Sequence, residues 1–172
     1  MASLESMPWV GDWAWGVPLI VANLVMHVVG LRMIGAFVLG DYASILRNRT
    51  ASVDFVMVVG VTAVLTILLH ALESTTWGVA YVLLGALTDN RTAMLYSLGA
   101  MTTYGHANIH LSPHWELLGA MEALQGMLLF GLTTAFLFSV FQAVSPLSNS
   151  QKARLAAEGA IQRKSADGLN GL

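Results

Sequence analysis

Apolar positions in this chain do not alternate, nor do they recur at a helical spacing; they come in long runs, and the few charged residues bracket those runs. From Trp13 to Leu31, between Asp12 and Arg32, there is no formal charge, and this stretch matches the roughly 20 residues needed to cross a hydrocarbon layer about 30 Å thick. Asp54 and Glu73 bracket a second run, FVMVVGVTAVLTILLHAL, in which His70 is the one titratable side chain. A third begins near Trp115, and its inner half is LLFGLTTAFLFSVF, inside the charge-free stretch between Glu122 and Lys152. The pattern predicts three membrane-spanning helices. Residues 1–12 carry Glu5 and Asp12 but no Lys or Arg, so the first run reads as a span rather than a secretory signal, which starts with a positive region. Trp9, Trp13, Trp15, Trp77 and Trp115 fall near the predicted outer boundaries, where amphipathic rings settle in a bilayer.

Ser74 to Pro113 breaks this scheme. TTWGVAYVLLGAL is apolar but too short to cross, and MLYSLGAMTTYGHANIHLSP is a short apolar helix running into polar, Gly-containing chain. Irregular backbone at membrane depth is tolerated only where protein or a water-filled cavity satisfies it, so a helix that enters and turns back implies a pore or a buried site. Thr88, Asp89 and Asn90 are N-cap residues for a three-turn helix from Arg91 to Met101 that stops at Thr102-Thr103. Its carbonyl end is the partly negative end of a dipole, and four such ends converging on one cavity favour a cation there. Beyond it, Thr102 to Ile109 reads as extended chain whose carbonyls line an axis, with Gly105 supplying a backbone geometry closed to most residues.

Composition agrees with the membrane reading. The 172 residues are 56% hydrophobic and 10% charged, with a mean hydropathy of +0.66, well below the roughly 25% charge of soluble domains. Eight Lys plus Arg against ten Asp plus Glu give a net charge of -2 without a basic tract, which removes the main driving force for nucleic-acid binding. The absence of cysteine rules out disulfides and thiolate chemistry. Arg47 and Arg49 follow span one, and Lys152, Arg154, Arg163 and Lys164 follow span three, so both loops are expected on the cytoplasmic side and the N-terminus outside. Arg91 dissents, and Arg32 is close enough to the inner end to snorkel. Residues 1–40 form an outer segment with a peripheral helix, 41–144 the main membrane unit, and 145–172 a polar tail with a short helix around QKARLAAEGAIQRK.

MTTYGHANI resembles the selectivity filter of the tetrameric potassium-channel superfamily, T-T-V-G-Y-G-D. Thr102 and Thr103 match its threonines, Tyr104 stands at the Val position and Gly105 matches the first glycine, while His106, Ala107 and Asn108 replace Tyr, Gly and Asp. HALESTTW, LLGAL, MLYSL and HWELLGAMEALQGMLLFGLTTAFLF are similar to segments of short bacterial ion-channel proteins, and the likeness runs from about Val53 to Gln142. The resemblance implies an all-α integral membrane fold with three transmembrane helices, a re-entrant pore helix and a filter loop per subunit, assembled as a homotetramer in a bacterial inner membrane. It also implies passive conduction of a monovalent cation through a filter at Thr102, Thr103, Tyr104, Gly105, His106, Ala107 and Asn108, with no resident cofactor and no catalytic group. Filter carbonyls replace the hydration shell of potassium. Ala107 disfavours a left-handed backbone there by roughly 1 kcal/mol. Four copies of His106 place rings with an ordinary pKa of about 6.5 at the mouth, where their protonated form repels cations.

His106, His110 and His114 lie four residues apart, a metal-ligand spacing on a helix but solvated groups on an outer loop. His27 and His70 are candidate haem ligands by residue type; counting residues from the span ends puts them about 12 Å apart in height, which favours a helix–helix contact for His27 and a pairing of His70 with Glu73. Glu122 lies about two turns into span three with Gln125 on the same face, either supporting the filter through its backbone or Thr103, or hydrated near the interface. Gly126 and Gly131, with Thr133-Thr134, are placed either as a gating bend above a hydroxyl-lined cavity or as small residues for helix packing. Two other functions fit the same residues: a non-conducting channel-like subunit docked on another membrane protein through span one, and a histidine-based membrane metal or haem protein.

Overall fold

The computed structural model describes residues 9–42, 51–102, 104–105, 108–145 and 157–158, and every element among them is helical. Helix α1 runs Trp9–Ala36 and continues as a π-helical turn, Phe37–Tyr42. Helix α2 is Ala51–Leu83, α3 is the 12-residue helix Asn90–Met101, and a single 3₁₀ turn, Pro113–Trp115, leads into α4, Glu116–Val144. Three of these, Trp9–Gly40, Phe55–Leu83 and Pro113–Val144, are long and apolar enough to cross a membrane. Their outward positions, including Val21, Val25, Met33, Ile67, Leu68 and Met127, are exposed large apolar side chains, as a lipid-facing surface requires. The loop cations after α1 and the tail helix lie outside the described residues, apart from residues 157–158.

Helices α1 and α4 run parallel, and α2 runs against both. Near their starts, the Leu118 N–H donates to Asp12 Oδ1 at 2.9 Å; near their ends, Gly35 faces Phe136. Both therefore end on the same side of the bundle, where Val38, Val58 and Val140 form a small buried cluster. A larger one, with Trp77, Tyr81, Ala93, Tyr96, Leu111 and Leu118 at its centre, sits at the opposite end and encloses α3.

The outer end of α2 and the surroundings of Trp77 and Asp12 differ from the sequence expectation. Helix α2 does not stop at Glu73: TTWGVAYVL belongs to the same 33-residue helix, so its apolar stretch is the outer third of a span and not a separate piece. A lone carboxylate marks a membrane boundary because it is costly inside, but Glu73 is fully buried beside two histidines that partner it. Trp77, expected as an interfacial anchor, is likewise fully buried, and its ring N–H donates to Gln125 Oε1 at 3.0 Å. Asp12 is buried too and caps the first turn of α4 from another helix, satisfying one of the orphan N–H groups there. Asp12→Ala is expected to cost about 1 kcal/mol, in the range of N-cap deletions, seen as a lower thermal midpoint in detergent, while Asp12→Asn stays close to wild type.

Candidate functional site

Helix α3 begins where its sequence says it should. Asp89 accepts hydrogen bonds from the Thr92 N–H and hydroxyl, both at 2.8 Å, and these hold its carboxyl below the ordinary value by stabilising the ionised form. From there the helix descends between α2 and α4. Ser97 donates to the Ser74 carbonyl at 2.8 Å, Ser74 donates to Met101 Sδ at 3.0 Å, and the Met101 backbone lies against Gly126. Ser74 is nine residues from the end of α2 and Gly126 ten from the start of α4, so at 1.5 Å per residue Met101 lies about 15 Å down from the ends of its neighbours. The chain then climbs back: the Ser112 N–H reaches the Ala86 carbonyl, 3.3 Å away, in the turn that follows α2. Helix α3 thus reaches about a third of the way along the bundle, and Ser112 lies back at the end from which it starts.

Beyond α3, Thr102, Tyr104, Gly105 and Asn108 are exposed. Thr102 leaves the helix with extended backbone (φ -99°, ψ 163°), and its hydroxyl turns back to the Leu98 carbonyl at 2.6 Å. Gly105 adopts φ +78°, the left-handed region that favours glycine, and its N–H reaches the Gly99 carbonyl at 3.3 Å. Tyr104 is 91% exposed, and Asn108 is exposed as well. Together with Leu98 and Ile109 they line an open groove of about 380 Å³. Thr103, His106 and Ala107 lie outside the described residues.

Behind α3 stands Glu122. It is fully buried, accepts from the Tyr81 hydroxyl at 2.5 Å and is hydrogen-bonded to Ser97, so one carboxyl ties α4 to both α2 and α3. Burial removes the reading of a hydrated interfacial carboxyl. Its partners among the described residues lie on the short helix and on α2, one turn and more before Thr103. Gln125, three residues on, holds Trp77. Tyr81, Trp77, Ser74 and Ser97 were not apparent as site residues; the four-residue step from Trp77 to Tyr81 shows it once α2 is continued past Glu73. Gly126 is a point of close approach in an unbroken helix, with a would-be Cβ 2.6 Å from the Met101 carbonyl oxygen, whereas nothing lies within 4 Å of the same position on Gly131.

The histidines divide. His110 and His114 are exposed, and His114 packs edge-on to Trp115 with ring centroids 4.9 Å apart. His27 and His70 come together with centroids 5.3 Å apart, which corrects the 12 Å height difference expected from the sequence. That expectation placed the outer end of α2 near Glu73; with α2 running to Leu83, His70 lies about 20 Å down the helix, level with His27. His27 Nδ1 is 2.8 Å from Glu73 Oε1 and His70 Nδ1 is 3.0 Å from Glu73 Oε2. Thr133 Oγ1 faces the other edge of both rings, 2.9 Å from His70 Nε2 and 3.4 Å from His27 Nε2. Thr134, by contrast, bonds the Phe130 carbonyl of its own helix.

Comparison with protein-family models, with curated proteins and with solved structures found no match.

Proposed function

We propose that this membrane protein is a cation channel, a homotetramer in which the segment from Thr102 to Asn108 faces a central axis, in a bacterial inner membrane with the N-terminus outside. The observation that carries this reading is a short helix whose carbonyl end stops about 15 Å inside the bundle, with Thr102, Tyr104, Gly105 and Asn108 exposed beyond it and Ser112 back at the end from which the helix starts. A single chain gains nothing from exposing Tyr104 and Asn108 beside an apolar surface; four chains around an axis give the polar segment a water-filled place and aim four helix dipoles at one cavity. The buried Glu122–Ser97–Tyr81 links fix the depth of the short helix, as a narrow pore demands. Monovalent cations are the permeant class, no catalytic group takes part, and His106 and Ala107 set a selectivity different from that of glycine-rich filters.

Ion flux from liposomes carrying the purified protein tests it, with potassium, sodium and protons compared at about pH 5.5 and about pH 8 beside the double variant His106→Tyr, Ala107→Gly. Wild type is expected to conduct, less at the lower pH where imidazoles at the mouth are charged, and the double variant to shift toward potassium. If neither passes any ion although both are tetrameric, conduction is wrong and a non-conducting subunit that docks on another membrane protein takes its place.

A further inference from the structure

We infer that the interior of the bundle carries a binding site for one divalent transition-metal ion, held by Nδ1 of His27, Nδ1 of His70 and the carboxylate of Glu73, with Thr133 orienting both rings. The site is separate from the proposed pore and does not depend on whether the chain conducts.

Helix α1 supplies His27 and α2 both His70 and Glu73, with Thr133 facing them from α4; the ligand atoms of His27, His70 and Glu73 lie within 4.8 Å of one another, the one such set among the described residues. The two Nδ1 atoms each face a different oxygen of the same carboxylate, at 2.8 and 3.0 Å. Zinc bonds of about 2.0–2.2 Å in a tetrahedral set space neighbouring ligand atoms by about 3.3 Å, so each of these two nitrogen–oxygen pairs needs to open by only a few tenths of an ångström to share an ion. Two atoms ask for it: His70 Nδ1 and Glu73 Oε2 are buried and, although 3.0 Å apart, are not aligned as a hydrogen bond, so neither has a hydrogen-bond partner. Leaving both unsatisfied away from water is costly. An ion between the rings and the carboxylate satisfies both at once.

The far side of the site follows the same logic. A metal-bound imidazole normally donates its other N–H to an oxygen that fixes the ring. Here both Nε2 atoms meet one hydroxyl, Thr133 Oγ1, which can accept from both through its two lone pairs. Two imidazole nitrogens and a carboxylate, with no sulfur, suit zinc or cobalt(II), whereas calcium and magnesium ask for six or more oxygens. Both Nδ1 atoms turn to the same carboxylate and not to each other across a gap, which fits a single ion better than a haem. Two neutral rings and one carboxylate leave a dication with one excess positive charge. The His70 side chain is 14% exposed, while those of His27 and Glu73 are closed.

The test uses the full chain in detergent micelles, stripped with a chelator and titrated with zinc alone, then with cobalt(II). One zinc per chain is expected, with the visible absorption of four-coordinate cobalt and an X-ray absorption signature of two imidazoles. Glu73→Gln and His70→Gln should abolish this binding, Thr133→Val should weaken it about 10- to 100-fold, and replacing His106, His110 and His114 together by Asn should leave it intact. Less than one ion per chain, retention of binding in Glu73→Gln, or its loss with the outer-loop histidines overturns the site. Should the interior variants fail to fold, wild type decides alone: six-coordinate cobalt or fewer than two imidazoles overturns it as well.

Discussion

Glu122→Ala is expected to destabilise the protein by about 3 kcal/mol and to unseat α3 from the bundle. The carboxyl holds two buried hydroxyls on two other helices, Tyr81 on α2 and Ser97 on α3, and all three residues are out of contact with solvent or lipid. In a water-soluble protein, removing one side of such a cluster costs about 3–5 kcal/mol, because the partners are left unpaired in a low dielectric. The bilayer reduces that penalty: an unfolded chain in lipid also finds partners, and interhelical hydrogen bonds there measure about 0.6 kcal/mol on average and about 1.7 at most. Two bonds to a carboxyl at the upper end of that range give roughly 3 kcal/mol, to which the vacated space adds. Glu122→Gln keeps the size and one oxygen acceptor and should cost about 1 kcal/mol. Because the chain has no cysteine, a single Ala100→Cys on the buried face of α3 reports directly on its seating. That thiol should be closed to a maleimide in the Glu122 background and reactive in Glu122→Ala. A Glu122→Ala variant with wild-type stability in SDS titration and an unreactive thiol at position 100 would show that the carboxyl does not anchor the helix.

How far this architecture is legible in the sequence depends on the range of the forces involved. The three long helices are legible because runs of about 20 apolar residues have one solution in a bilayer. The start and stop of α3 are legible because caps are local chemistry: Asp89 captures the N–H of a residue three positions on, and Thr102 turns back on Leu98. What local pattern cannot show is a partner far along the chain. Glu73 reads as the edge of the membrane until His27, 46 residues earlier, is seen to accompany it. Asp12 reads as an outer charge until Leu118, 106 residues later, is seen to use it as a cap. Trp77 reads as an interfacial ring until Gln125 appears beside its N–H. In each case a polar group that ought to mark a boundary is carried inside by a long-range partner. Glu122 shows the middle ground, its cost in lipid being plain from its neighbours in sequence and its partners only from the fold.

Gly126→Ala and Gly131→Ala should move stability in opposite directions, and the contrast separates a packing glycine from a flexible one. Both lie in the interior of α4, where an alanine gains roughly 0.8–1 kcal/mol of helix propensity over glycine. At Gly131 nothing stands within 4 Å of the added carbon, so the propensity gain is the whole effect. At Gly126 the added carbon falls 2.6 Å from the Met101 carbonyl oxygen and 2.7 Å from its Cα. Those are backbone atoms at the end of a helix that Glu122 and Ser74 already fix, so they cannot swing aside as a side-chain tip does. Overpacking of this kind costs about 1–3 kcal/mol, enough to outweigh the propensity term. The strain falls where Thr102 begins the exposed segment, so on the proposed channel reading cation flux should drop with stability in Gly126→Ala and stay near wild type in Gly131→Ala. Thermal midpoints of the two variants in detergent, beside liposome flux, make the comparison. A rise in midpoint for both would mean that Met101 does not approach α4 this closely. A bend at Gly126 predicts something different again, a change in gating without loss of stability, because a hinge glycine is used for its freedom in the helix and a packing glycine for the space its missing side chain leaves to the neighbouring backbone.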